Sequence, residues 1–140
     1  MSRIFWDTNL FIYFLEGNTQ ESLTTRNLRG KMLARGDQLL TSTITLGEIL
    51  VKPLEQGNTT LCRNYEDAIT KTASLLSFDA KAAWKYAEIR CDRSVRAPDA
   101  VQLACAASAN TDLFVTNDRR LQGKRVDGIQ FIVALDQVPI

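Results

Sequence analysis

The sequence contains no histidine. That absence removes imidazole acid–base catalysis, Ser–His and Cys–His nucleophile pairs, and zinc sites built on imidazole. A hydrolase made from this chain has to work with carboxylates, hydroxyls, Lys and Arg, or a hard metal ion. Cysteine is scarce as well. Cys62, Cys91 and Cys105 are odd in number and lack CxxC spacing, so neither a disulfide framework nor a cysteine zinc site is expected. They read as small buried residues of a reduced, cytoplasmic protein. No apolar run approaches the roughly 20 residues a membrane span needs. The opening Met1-Ser2-Arg3-Ile4-Phe5-Trp6-Asp7 has one basic residue and meets an acid at once, unlike a signal peptide. Repeats, low-complexity segments and Pro/Gly-rich linkers are absent too.

What remains is an ordinary globular mixture, 45% apolar and 24% charged over 140 residues. One domain covering residues 1–140 is expected, large enough to build a core without staples. The net charge of +1 hides a possible asymmetry. If four acids gather in one pocket, seventeen basic residues face twelve remaining acids elsewhere. A basic exterior around an acidic pocket suits a polyanion held by its backbone while a cation sits in the pocket.

Short β-like runs alternate with helical patterns, which predicts an α/β fold with helices on both faces of a mostly parallel sheet of four or five strands. Strands are expected at Arg3–Trp6, Gln38–Ser42, Ser74–Phe78, Leu113–Thr116 and Ile129–Val133. Helices are expected at Leu10–Glu16, at Gln20–Arg35 with Leu23, Leu28 and Met32 inward, and at Thr45–Glu55, which Pro53 should kink or end. Asn58 or Thr59 can cap the next helix. Asp79 caps an amphipathic helix with Ala80, Ala83, Trp84, Ala87 and Cys91 on its apolar face. After Pro98, the segment Asp99–Ser108 is apolar apart from Gln102 and reads as a buried helix. Asp118–Leu121 reads as a short helical turn.

Four acids stand out against this frame. Ligands of open parallel sheets bind beyond the carboxyl ends of the strands. Asp7 and Asp118 each follow a predicted strand, Glu48 lies in the first turns of the helix after the second strand, and Asp99 opens the buried helix. Each has a bland reading alone: a cap for Asp7 and Asp118, a helix-dipole partner for Asp99, a solvated face for Glu48. The apolar flanks of Glu48, and Gly47 beside it with room for close approach, argue for more. Together the four would repel one another and remain ionised only with cations between them. Oxygen-only ligands select Mg²⁺ or Mn²⁺, and such ions can activate water and stabilise the leaving oxygen of a phosphodiester.

Asp7-Thr8-Asn9, Thr45-Leu46-Gly47-Glu48, Pro98-Asp99-Ala100 and Leu113-Phe114-Val115-Thr116-Asn117-Asp118 resemble the successive motifs of PIN domains, most closely those of VapC toxins from toxin–antitoxin pairs. The resemblance runs from Ile4 to about Val133. It implies a three-layer αβα sandwich and an Mg²⁺- or Mn²⁺-dependent endoribonuclease that leaves 5′-phosphate and 3′-hydroxyl ends. Asp7, Glu48, Asp99 and Asp118 would bind metal, with Asn9 and Thr116 orienting them. The resemblance also implies a homodimer and a cognate antitoxin whose C-terminal segment lies over the site; whichever of Phe11, Tyr13, Phe14 and Leu50 are exposed could form its groove, though such residues are more often core. Arg93 and Arg96 before Asp99, and Arg119, Arg120, Lys124 and Arg125 after Asp118, are candidates for contact with the RNA backbone.

Two other readings are weighed. A non-catalytic RNA- or protein-binding module could share the fold. A Mg²⁺-dependent phosphatase similar to the haloacid dehalogenase group would also place an Asp after the first strand, but that group has a second Asp two residues on, where Asn9 stands here.

Overall fold

A computed structural model describes residues 1–140. Five strands, β1 (Arg3–Trp6), β2 (Gln38–Ser42), β3 (Ser74–Leu76), β4 (Thr111–Val115) and β5 (Ile129–Val133), form one all-parallel sheet in the order β3-β2-β1-β4-β5. The helices are α1 (Thr8–Leu15), α2 (Gln20–Arg35), α3 (Thr43–Glu55), α4 (Thr59–Thr72), α5 (Ala80–Arg90) and α6 (Ala97–Ser108). A 3₁₀ turn follows at Leu135–Gln137.

The sheet is buried on both sides, which is why its central strands read as continuous apolar runs rather than alternating ones. Ile4, Phe5 and Trp6 are all fully buried. The pleat sends them to two separate cores. Phe5 stacks on Phe114 at 5.0 Å between ring centroids and joins Leu40, Ala82, Ile89 and the inner face of α6. Ile4 and Trp6 face the other way, onto Leu10, Phe11, Leu28, Met32, Ile49 and Ile69 from α1 to α4. The result is the expected three-layer α/β sandwich.

Local chemistry accounts for the boundaries. Gly36 ends α2 in the left-handed conformation, with φ of 75°. Asn58 and Asp79 cap α4 and α5 through their side chains. Gly128 is needed for closeness as well as for its φ of 98°: a Cβ there would lie 2.4 Å from the Ala107 carbonyl oxygen. This lets the Gly128 carbonyl accept from the Thr111 amide at 2.9 Å and start β5 beside β4.

Several expectations need correction. Trp84 is 75% exposed, and Ala80, Ala83, Ala87 and Cys91 also face outward. The inward face of α5 is Ala82, Tyr86 and Ile89, four and three residues apart, while Trp84 sits about 200° round the helix from Ala82 at 100° per residue. Leu23 is exposed, and Ser22, Thr25, Leu28 and Met32 are the buried residues of α2. Pro53 lies inside α3, which runs through it to the expected end at Glu55, with Gln56 and Asn58 amides donating to the Lys52 and Pro53 carbonyls. Asp118–Leu121 is the expected single turn, closed by the Leu121 amide on the Asp118 carbonyl at 3.1 Å. All three thiols are free, yet only Cys105 is buried. No helix is long and apolar enough to cross a membrane.

Candidate functional site

β1 and β4 lie side by side at the point where strand order reverses, and the Asp7 amide donates to the Val115 carbonyl at 3.1 Å. The residues that leave these two strands therefore meet in the crevice where doubly wound sheets bind ligands. Asp7 caps α1, accepting from the Thr8 amide at 2.8 Å on Oδ1. Its Oδ2 accepts from the Thr116 hydroxyl at 2.9 Å. The Thr116 oxygen in turn accepts from the Asp118 amide at 3.0 Å, so one threonine ties both strand-end acids together.

The other two acids come from helices. Glu48 lies on the exposed face of α3, where its Oε1 accepts from the Thr8 hydroxyl at 2.6 Å. Asp99 is in the first turn of α6, which opens two residues earlier than expected, at Ala97. A cation already spans two of the acids. Arg120 donates to Asp118 through Nε at 2.9 Å and Nη2 at 2.6 Å, and the same Nη2 is 3.9 Å from Asp99 Oδ2.

The electrostatics agree with convergence. Burial pushes the Asp7 carboxyl up, opposed by the hydrogen bonds from Thr116 and Thr8 and reinforced by Asp99 and Glu48. Burial also raises Asp99, with Asp118 and Glu48 adding to the effect and Arg120 and Arg96 working against it. Asp118 goes the other way: the Arg120 hydrogen bond holds it below the usual carboxylate range despite some burial. Asp7 and Asp99 thus carry like charge from neighbouring acids, the situation a bound cation relieves.

No three of them are grouped tightly enough in this conformation to hold a metal ion. The donor chemistry nonetheless fits a hard divalent ion: carboxylate and hydroxyl oxygens, without sulfur or imidazole. The fit is to the set of residues, and Arg120 is the positive charge that the acids engage here.

The remaining candidates fall out as follows. Asn9 is exposed, and its neighbour Thr8 makes the contacts that hold Asp7 and Glu48. Arg120, a candidate for RNA contact, has its guanidinium on Asp118 and close to Asp99. Arg96 is exposed near Asp99 and Asp118, and Arg93 is exposed in the preceding turn. Arg119 lines a polar cleft of about 720 Å³ with Tyr13, Glu21, Asn117 and Asp136. Lys124 pairs with Asp92 at 3.1 Å, while Arg125 lines a smaller cleft on that side. Phe11 is fully buried and so unavailable to a groove, whereas Tyr13, Phe14 and Leu50 are half-buried. Gly47 is exposed, with no protein atom within 4 Å of where a Cβ would stand.

Two contributors were missed. Thr8 was passed over as the middle of a motif. Gln102 was noted only as the one polar interruption of α6, and that interruption was the available signal.

Fold and site together define a doubly wound α/β domain with acids gathered at the switch point of its sheet. The PIN domain family model matches residues 4–127, and the chain belongs to that family. No curated protein matches. Among solved structures, the fold is similar to that in the promoter-DNA-bound VapBC2 complex of Rickettsia felis, with a TM-score of 0.74 at 18% identity, covering 94% of this chain and 98% of that one. DNA-bound VapBC of Salmonella typhimurium gives 0.73 at 21% identity, covering 96% and 99%. VapBC-5 of Mycobacterium tuberculosis, a member of the VapBC family of toxin–antitoxin systems, gives 0.63 at 20%, covering 96% and 99%. The chain is thus a PIN domain with a VapC-like fold.

Proposed function

We propose that this single-domain protein is an Mg²⁺- or Mn²⁺-dependent endoribonuclease, the toxin of a type II toxin–antitoxin pair. The observation that carries the reading is geometric: at the switch point Thr116 ties Asp7 to Asp118, Thr8 holds Glu48 beside Asp7, and Arg120 reaches from Asp118 to Asp99. These residues would hold the metal. When bound, the ion supplies an activated water and charge stabilisation for phosphodiester hydrolysis. Thr116 would orient Asp7 by its hydroxyl, and Asn9 would help orient the carboxylates. Arg96, exposed near Asp99 and Asp118, and the exposed Arg93 and Arg119 suit contacts to phosphates of the RNA. Solved neighbours that are toxin–antitoxin complexes support a cognate antitoxin as partner. A homodimer in the cytoplasm belongs to the same reading.

The test is controlled expression beside the Asp99→Asn variant, with RNA ends sequenced. Metal-activated water leaves 5′-phosphate and 3′-hydroxyl ends. Cyclic phosphate ends, or equal cleavage by the variant, would count against it.

The Arg120 pairing favours a second reading, a non-catalytic module whose acids are neutralised internally. Arg120→Ala separates the two. If the guanidinium only occupies the metal's place, its removal tightens Mn²⁺ binding. A pairing closed in about nine molecules of ten weakens apparent affinity about tenfold, so a gain of that size is expected by titration calorimetry. No Mn²⁺ binding by either form would leave the module reading standing.

A further inference from the structure

Gln102 sits in the middle of α6 and is 3% exposed. Its carboxamide is fully engaged. Oε1 accepts from the Ser42 hydroxyl. Nε2 donates to Thr45 Oγ1 at 2.8 Å and to Thr8 Oγ1 at 3.1 Å. These partners start α3 and α1, so one side chain joins three elements at the carboxyl end of the sheet.

The bonds also have a direction. Thr41 donates to the Trp6 carbonyl at 2.9 Å and to the Thr45 hydroxyl at 2.8 Å, and the Thr45 hydroxyl in turn lies 3.3 Å from that of Thr8. The carboxamide nitrogen can only donate, so Thr45 accepts from Gln102. Thr8 likewise accepts from Gln102, so its single proton is free to go to Glu48 Oε1 at 2.6 Å. A flipped or acidic side chain at 102 would present an acceptor to Thr8 and draw that proton away from Glu48.

We infer that Gln102 is a positioning residue for Glu48: a buried carboxamide that orders the hydroxyl of Thr8, so that Thr8 donates to Glu48 and holds its carboxylate toward the other acids. The inference rests on the metal-site reading above. Outer partners of metal-binding carboxylates act in this way on metal affinity. Glu48 is otherwise an exposed side chain on α3, free to leave the site.

The experiment is Mn²⁺ titration of the intact protein by calorimetry, with wild type, Gln102→Met, Thr8→Val, their double variant, Thr8→Ser and Gln102→Glu. Melting curves run alongside. Gln102→Met and Thr8→Val should each weaken Mn²⁺ binding by roughly tenfold. The double variant should be no weaker than the worse single one, because both break the same relay. Thr8→Ser keeps the hydroxyl and should retain affinity. Gln102→Glu, nearly the same shape, should lose as much as Gln102→Met. A merely structural Gln102 would lower the melting temperature without these affinity changes. Wild-type affinity in a folded Gln102→Met or Gln102→Glu, or losses that multiply in the double variant, overturns the inference while leaving the metal site intact. If Gln102→Met does not fold, Thr8→Val against Thr8→Ser and Gln102→Glu decides alone. Failure of the wild type to bind Mn²⁺ at all overturns both the metal-site reading and this one.

Discussion

Asp7→Asn should eliminate RNA cleavage, by a factor on the order of a thousand or more, as expected for removal of a metal-dependent group that acts in the transition state. The same substitution should make the metal-free protein more stable at neutral pH. Asp7 is raised chiefly by burial, so ionising it in the folded state is unfavourable, and Asp99 and Glu48 add to that. The sign follows from proton linkage. A carboxyl raised in the fold is most compatible with folding below its ordinary value of 3.8, and that advantage is lost as pH rises through the folded value. Asn carries no charge at any pH. The stability gain of Asp7→Asn should therefore be largest near neutrality and disappear below the ordinary carboxylate range. Asp118 predicts the opposite trend. Arg120 holds it low, so its contribution is present above the usual range and declines as pH falls through its lowered value. Melting temperatures of the wild type, Asp7→Asn and Asp118→Asn from pH 3 to 7 test both trends, and an Asp7→Asn protein that cleaves normally removes Asp7 from the site.

The strand-end acids were legible because their positions follow from topology. A parallel sheet gathers whatever leaves its strands at one edge, and the apolar runs ending at Trp6 and Val115 locate Asp7 and Asp118 without coordinates. Asp99 was legible through Pro98 and the apolar helix behind it. The exposed face of α5 was misread because alanine gives almost no directional signal: Ala80, Ala83 and Ala87 suit an inside or an outside, and Trp84 then decided the face wrongly. Hydrogen-bond direction was beyond reach for another reason. That Thr8 gives its proton to Glu48 depends on Gln102, which is 94 residues away in the chain. Arg120 belongs to the same class. Its place two residues after Asp118 suggests a local turn, but its reach to Asp99 depends on how α6 packs.

Adding Mn²⁺ should reverse the acid-range pH dependence contributed by these carboxylates. In the metal-free protein, ionising Asp7 and Asp99 works against the fold, so their combined contribution falls as pH rises. With metal, protons and the cation compete for the same oxygens. The ionised form becomes the binding form, and stabilisation grows with pH. At a free concentration about a hundred times the dissociation constant, the added stability is about 2.7 kcal/mol. EDTA should return the protein to its metal-free melting curve and stop cleavage altogether. Asp99→Asn, which removes one charged oxygen donor, should show a smaller shift at the same Mn²⁺ concentration. The contrast with simple ionic strength matters, because salt also screens carboxylate repulsion. Calcium-free, chelator-treated protein in matched NaCl is the reference. If Mn²⁺ and NaCl shift the melting curve alike, or if cleavage survives chelation, the four acids are not a metal site and the repulsion among them is met by Arg120 alone.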